Sequence, residues 1–194
     1  MKRLAGIALI ALVAGCHPDV PEPVVNKPAQ PVETKPTPDT TAKVDDQTPK
    51  PKAGDNSKRI YQLADLKKGT IKIDGHSLSA WVMDDDGKRQ EGMMWLTDKE
   101  VKDDEAMIFI FPSPEPHATA GFWMQNTILP LDIMYFTPKM RLTTIAEGKP
   151  FDEKSLPAKE DYQYVVEMKQ GSAKRLGIQV GSTITIPSDL KNAQ

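Results

Sequence analysis

The chain has 194 residues, with 25 Lys and Arg against 27 Asp and Glu, for a formal net charge of −2. That length holds one domain plus extensions, and the balanced charge argues against a nucleic-acid binder, which carries a basic excess. Seventeen prolines are too many for one folded unit, and a single cysteine excludes an intrachain disulfide framework or a cysteine-based zinc cluster.

The first elements in chain order address the compartment. Met1, Lys2 and Arg3 make a positive start, residues 4–13 form an apolar run, and Ala14 and Gly15 precede Cys16. These are the marks of a secretory signal, and the run is shorter than the roughly 20 residues of a bilayer span. Val13-Ala14-Gly15-Cys16 resembles the bacterial lipobox. The resemblance implies removal of residues 1–15, acylation of Cys16 and anchoring through its acyl chains, each buried methylene adding about 0.8 kcal/mol. His17, rather than Asp, follows the cysteine. By the same resemblance this places the protein at the outer membrane, facing the periplasm.

Residues 16–58 read as the lipidated cysteine followed by a tether. Residues 17–58 hold nine prolines, six Lys and seven Asp or Glu, and no Phe, Trp, Tyr, Leu, Ile or Met. So little apolar surface does not offset the entropy of ordering, so disorder is expected. Frequent X-Pro pairs favour extended polyproline II. The stretch is read as a spacer holding a domain away from the membrane.

Residues 59–194 are expected to form a mainly β domain, a jelly-roll-like sandwich or barrel with one or two short helices. Residues 70–73 and 76–83 flank Asp74-Gly75, a two-residue hairpin signal. Asp84-Asp85-Asp86-Gly87 reads as a turn leading into a short helix over 88–94, and Thr97 to Glu100 has capping-box spacing for a single helical turn. Residues 107–111 are an apolar run without period, as in a central strand. Further strands are expected at 122–124, 131–136, 142–146, 162–168 and 183–186. A short helix at 172–176 is closed by Gly177. The pattern shows no βαβ alternation.

The run Phe122-Trp123-Met124-Gln125-Asn126-Thr127-Ile128-Leu129-Pro130-Leu131-Asp132-Ile133 resembles the signature of the bacterial and archaeal domain of unknown function 192. Gly92-Met93-Met94, the strand from Ala106 to Phe111, and Tyr164-Val165-Val166-Glu167 with Gly171, Ala173, Leu176-Gly177-Ile178 and Gly181 fit the same family in the same order. The resemblance covers roughly residues 70–187. It implies a compact β-rich fold and no particular activity. The chain departs from the pattern at Leu96, where the family has Arg, at Ala106, where it has Gly, and at Ser182, where it has Asp.

Trp123, Asn126, Thr127 and Asp132 are the candidate ligand-binding residues. Trp123 is read as an aromatic wall, with Asn126, Thr127 and Asp132 as polar contacts of a small cleft for a sugar or short peptide. In the structural alternative, Asn126 and Thr127 make turn hydrogen bonds and Asp132 accepts backbone N–H groups of the same loop. A pair formed by Asp132 and Glu167 is the route to glycoside hydrolysis, which needs two carboxylates across a cleft. His76 and His117 lack an i, i+4 partner, and His117 reads as solvated in a proline-rich loop. Met107, Met124, Met134 and Met168 read as core filler rather than copper ligands.

No cofactor or metal is expected. The leading functional expectation is a non-enzymatic envelope lipoprotein that binds a small ligand, glycan or envelope partner, with the membrane engaged through Cys16. The alternatives are a hydrolase or transferase acting on envelope polymers through Asp132, and a purely structural protein-interaction module.

Overall fold

Asp74 (φ 46°) and Gly75 (φ 86°) both adopt the left-handed conformation of a type I′ turn. They join β1 (Lys68–Ile73) to β2 (His76–Met83) as the expected antiparallel hairpin. The computed structural model describes residues 56–119 and 121–191. The signal sequence, Cys16 and residues 16–55 of the expected tether lie outside the described residues. The last three tether residues, 56–58, already take part in the domain's contacts. Asn56 donates from Nδ2 to the Trp95 carbonyl, and its own carbonyl accepts from Gln62 Nε2 at 2.8 Å.

The described elements continue with α1 (Asp86–Glu91), β3 (Glu105–Glu115), β4 (Gly121–Phe122), β5 (Leu131–Phe136), β6 (Leu142–Gly148), β7 (Leu156–Pro157), β8 (Tyr162–Lys169), α2 (Ser172–Arg175), β9 (Ile184–Thr185) and α3 (Ser188–Lys191). The fold is mainly β, as expected. A curled sheet in the order β6-β5-β8-β3-β2-β1-β9 forms a half-barrel, and β4 pairs with β7 in a separate two-stranded ribbon. The ribbon strand β7 and the short helix α3 carry no clear sequence signal.

The sheet differs from expectation at one joint. β2 and β3 are parallel, with Ala80 opposite Ala106 and Val82 opposite Ile108. Parallel neighbours need a crossover of a dozen or more residues, and residues 84–104 supply it, with α1 inside. This is a βαβ connection that the sequence pattern does not announce, because its helix has only six residues. Asp85 caps α1 by accepting the Lys88 N–H at 2.9 Å, and Gly92 (φ 45°) ends it. The helix therefore spans 86–91 rather than 88–94. Thr97 and Glu100 make the expected capping-box bond, the Thr97 N–H donating to Glu100 Oε2 at 2.7 Å, around a single turn.

Both faces of the central strands are covered, which explains the lack of period in residues 106–110 and 131–136. One face packs Ile71, Ala80, Ile108, Met134 and Val166 against Ala173, Ile184 and Leu190. The other packs Trp81, Met107, Phe109, Ile133 and Val165 against Leu66, Met93, Leu96 and Met124. Each fully buried side chain of this kind contributes about 1.5–3 kcal/mol. Met107, Met124, Met134 and Met168 are all fully buried in these clusters, which is the core role expected of them.

Candidate functional site

A cleft of about 420 Å³ opens on the face that the crossover and the 122–130 loop cover. One wall is the end of α1 with Gly92, Met93 and Met94. The other is formed by Thr119, Gly121, Phe122, Trp123 and Thr127, and β3 and β8 form the floor. Its volume suits a small ligand.

The crossover wall is held by a buried ion pair. Arg59 is 3% exposed and Glu91 9%. Arg59 Nη2 lies 3.3 Å from Glu91 Oε2. Arg59 Nη1 donates to the carbonyls of Gly92 (2.9 Å) and Met94 (2.5 Å), and Nε to that of Tyr61 (3.1 Å). Glu91 in turn accepts the N–H groups of Ile60 at 2.7 Å and Tyr61 at 2.9 Å. A charge removed from water needs such partners, and here they tie the start of the domain to the cleft. Burial lowers the Arg59 pKa, against the raising field of Glu91. Leu96, where the family resemblance places an Arg, is buried, and the guanidinium bonded to this segment is that of Arg59.

The floor is aromatic. Phe109 meets Phe122 edge-on at 4.8 Å, Phe122 meets Tyr135 at 5.7 Å, Tyr135 meets Tyr162 at 4.9 Å, and Tyr162 meets Phe111 at 5.5 Å. Edge-to-face pairs of this type stabilise beyond their buried area. The Tyr135 hydroxyl accepts the Phe122 N–H at 3.1 Å and donates to the Leu156 carbonyl, so it fastens both strands of the ribbon to the sheet. Burial pushes the Tyr135 hydroxyl pKa upward, and that of Tyr162 to about 12.

Glu167 sits in this floor. On β8 it is flanked by Met107 of β3 and Ile133 of β5, and it is 4% exposed. Its Oε2 is buried and has no hydrogen-bond partner within the protein. Burial raises its pKa to about 8, over the opposing effects of the Met93 N–H and the Arg59 charge. At neutral pH the group is mostly the uncharged acid, able to donate a hydrogen bond. Gly92 belongs to the same corner. A Cβ there would stand 3.0 Å from Phe109 Cζ and 3.5 Å from Glu167 Oε2, at a φ that strains other residues.

The four candidate residues do not converge. Trp123 and Thr127 line the cleft, with Trp123 39% exposed at its mouth. The Thr127 hydroxyl donates to the Gln125 carbonyl at 3.1 Å. Asn126 occupies a left-handed turn (φ 54°), and its carbonyl accepts the Trp95 N–H at 2.9 Å, joining the loop to the crossover. Asp132 lies on the opposite sheet face, where Oδ2 accepts the Ala173 N–H of α2 at 2.9 Å. This is a backbone cap, but across 41 residues rather than within its own loop. The pairing of Asp132 with Glu167 across a cleft is likewise excluded by geometry. Ile133, not Asp132, is the cross-strand partner of Glu167, so alternation sends the two carboxylates to opposite faces.

Sequence reasoning missed Arg59, Glu91, Phe109 and Phe122 as parts of the site and cast Glu167 only as a partner for Asp132. The usable signal was Glu167 itself, an acid inside the apolar strand run Tyr164-Val165-Val166-Glu167-Met168.

A second, more open cleft of about 810 Å³ contains His117, Arg141, Glu160 and Asp161. His117 is not alone, contrary to expectation: its Nδ1 lies 2.7 Å from Asp161 Oδ1, and both side chains are about half exposed. That contact holds the Asp161 carboxyl below the usual range. Arg141 is paired with Glu160 at 2.8 Å. Both pairs are exposed, and Lys139 and Lys159 line the same cleft.

Comparison with known proteins adds a family and a fold. A model of the DUF192 family, described as an uncharacterized ACR, matches residues 69–186. Among solved structures, a protein of unknown function from Novosphingobium aromaticivorans DSM 12444 is 32% identical, with a TM-score of 0.59, over 64% of this chain and 89% of that one. A Sinorhizobium meliloti 1021 protein, provisionally named a transcription regulator, is 28% identical with a TM-score of 0.57, over 62% and 94% of the two chains. No curated protein matches.

Proposed function

The chain belongs to the DUF192 family, and we propose from the geometry of the cleft that its domain is a non-enzymatic binding module for a small ligand, a glycan or short peptide. The observation that carries this reading is the cleft itself. It combines an aromatic floor, an indole at its mouth and a buried carboxyl group with one oxygen free of hydrogen bonds in its floor. Sugars and peptides present apolar faces beside hydroxyl or amide groups, which this lining complements. Asp132 supports binding over hydrolysis, because its carboxylate is turned away from the cleft and holds α2.

Titration calorimetry on the full chain with chitooligosaccharides and short peptides tests the reading. Binding by the native protein, weakened at least tenfold by Trp123→Ala with the circular dichroism unchanged, is the expected result. Absence of binding by every probe removes the reading and favours a protein-interaction module.

The place of action is proposed from the leader alone. Cys16 is acylated and holds the domain at the outer membrane, facing the periplasm, with residues 17–55 as the spacer. Cys16→Ser then abolishes labelling by radioactive palmitate and moves the protein out of the membrane fraction. Retention of both label and membrane association refutes the anchor.

A further inference from the structure

We propose that Glu167 is the specificity-determining residue of the cleft, donating a hydrogen bond to the carbonyl oxygen of a neutral secondary amide, the N-acyl group of an amino sugar or of a peptide. The inference deepens the binding-module reading and depends on it. Two described buried side-chain atoms lack a hydrogen bond, Arg59 Nη2 and Glu167 Oε2. The first has Glu91 at ion-pair distance. The second makes no hydrogen bond within the protein, although the Met93 N–H acts on the same carboxyl group, and a buried polar atom of this kind calls for an external partner.

The surroundings select the chemistry of that partner. Glu167 is flanked by Met107 and Ile133, and Gly92 brings bare backbone beside it against Phe109. A desolvated ammonium group gains little among such neighbours. An anion meets the carboxylates of Asp86 and Glu115 on the cleft lining. The Arg89 guanidinium is committed to Asp86 at 2.6 Å and to the Ile110 carbonyl at 2.7 Å. A neutral carbonyl oxygen avoids both penalties. The acyl methyl group then packs on the Phe109 and Phe122 rings, and the rest of the ligand extends toward Trp123.

The proposal carries a pH signature. The charged or titratable groups facing Glu167 are Arg59 of the N-terminal segment, with Glu91 of α1 and Glu100 acting through it, Tyr135 of β5, and Tyr162 of β8. β3 contributes Met107 and Phe109, with Glu115 at its far end, and the 122–127 loop contributes no ionisable group. Burial raises the Tyr135 and Tyr162 phenols further above neutral pH, whereas it brings the Glu167 carboxyl to about 8.

The experiment uses the full chain and four probes: N,N′-diacetylchitobiose, its de-N-acetylated counterpart, N-acetylalanine methyl ester, and alanine methyl ester. The acylated member of each pair is expected to bind at least tenfold more tightly at pH 6, and its affinity to fall at least tenfold by pH 9.5. Comparing the sugar pair with the alanine pair tells which source of amide is preferred. Glu167→Gln keeps a neutral donor, so it retains binding and loses the pH dependence, whereas Glu167→Leu loses binding. If the amine-bearing probes bind as well as the acylated ones, or Glu167→Gln keeps the native pH profile, the proposal is overturned while the binding module survives. If no probe binds, both fall together.

Discussion

Glu167 and Asp132 lie on neighbouring strands within one register step of each other, yet their carboxyl groups occupy opposite faces of one sheet. Ile133 is the cross-strand partner of Glu167, and Met168 that of Asp132. One carboxyl group fastens a helix, and the other belongs to the floor of a cleft. The two therefore answer substitution differently.

Asp132→Ala removes the acceptor of the Ala173 N–H, which lies in a buried setting. Loss of a charge-assisted bond of this kind costs about 1–3 kcal/mol. The melting temperature is expected to fall by several degrees, while calorimetric affinity for any cleft ligand is unchanged. Loss of binding with unchanged melting temperature contradicts this assignment.

Glu167 links stability to pH in the direction opposite to an ordinary ion-paired carboxylate. Its ordinary value is 4.5 and its folded value about 8. Below pH 4.5 both folded and unfolded states hold the proton. Between 4.5 and 8 only the folded state holds it, so stability declines as pH rises, by up to about 1.4 kcal/mol per pH unit. Above pH 8 the full cost of burying the charge is present. Urea unfolding at pH 5, 7 and 9 is expected to show this decline in the native protein and a flatter profile in Glu167→Gln. Parallel profiles refute the assignment.

Arg59→Ala breaks a buried pair and strands the carbonyls of Gly92, Met94 and Tyr61 along with Glu91. Breaking such a pair costs about 3–5 kcal/mol. Arg59→Lys restores the charge but not the forked geometry, so its urea midpoint falls between those of the alanine variant and the native protein. Full recovery by lysine shows that charge alone holds the segment.

Trp123 stands at the mouth, 39% exposed. Trp123→Ala is expected to cost about 1 kcal/mol or less in stability, and to lower ligand affinity at least tenfold. A thermal melt and a titration on the same preparation separate the two effects.

Much of the sheet is legible in the chain. Asp74-Gly75 dictates its hairpin because a type I′ turn needs positive φ at both positions. Residues 106–110 and 131–136 dictate central strands because only a strand covered on both faces is apolar without alternation. The parallel joint between β2 and β3 is not legible, since a six-residue helix leaves too short a period to be read.

The sequence by itself determined the apolar strands, the β1–β2 hairpin and the presence of an acid, Glu167, in a strand that excludes water. It also placed Trp123 and Thr127 in one short segment, whose expected strand at 122–124 ends at Phe122. Only the tertiary structure decided which acid meets the cleft. Alternation along a strand fixes that neighbouring residues face opposite ways, but not what covers each face. That was settled when the crossover, pinned by Arg59 and Glu91, closed over the Glu167 side, and α2 closed over the side of Asp132. Those contacts join residues far apart in the chain, and their energy comes from burial and pairing that no local pattern carries.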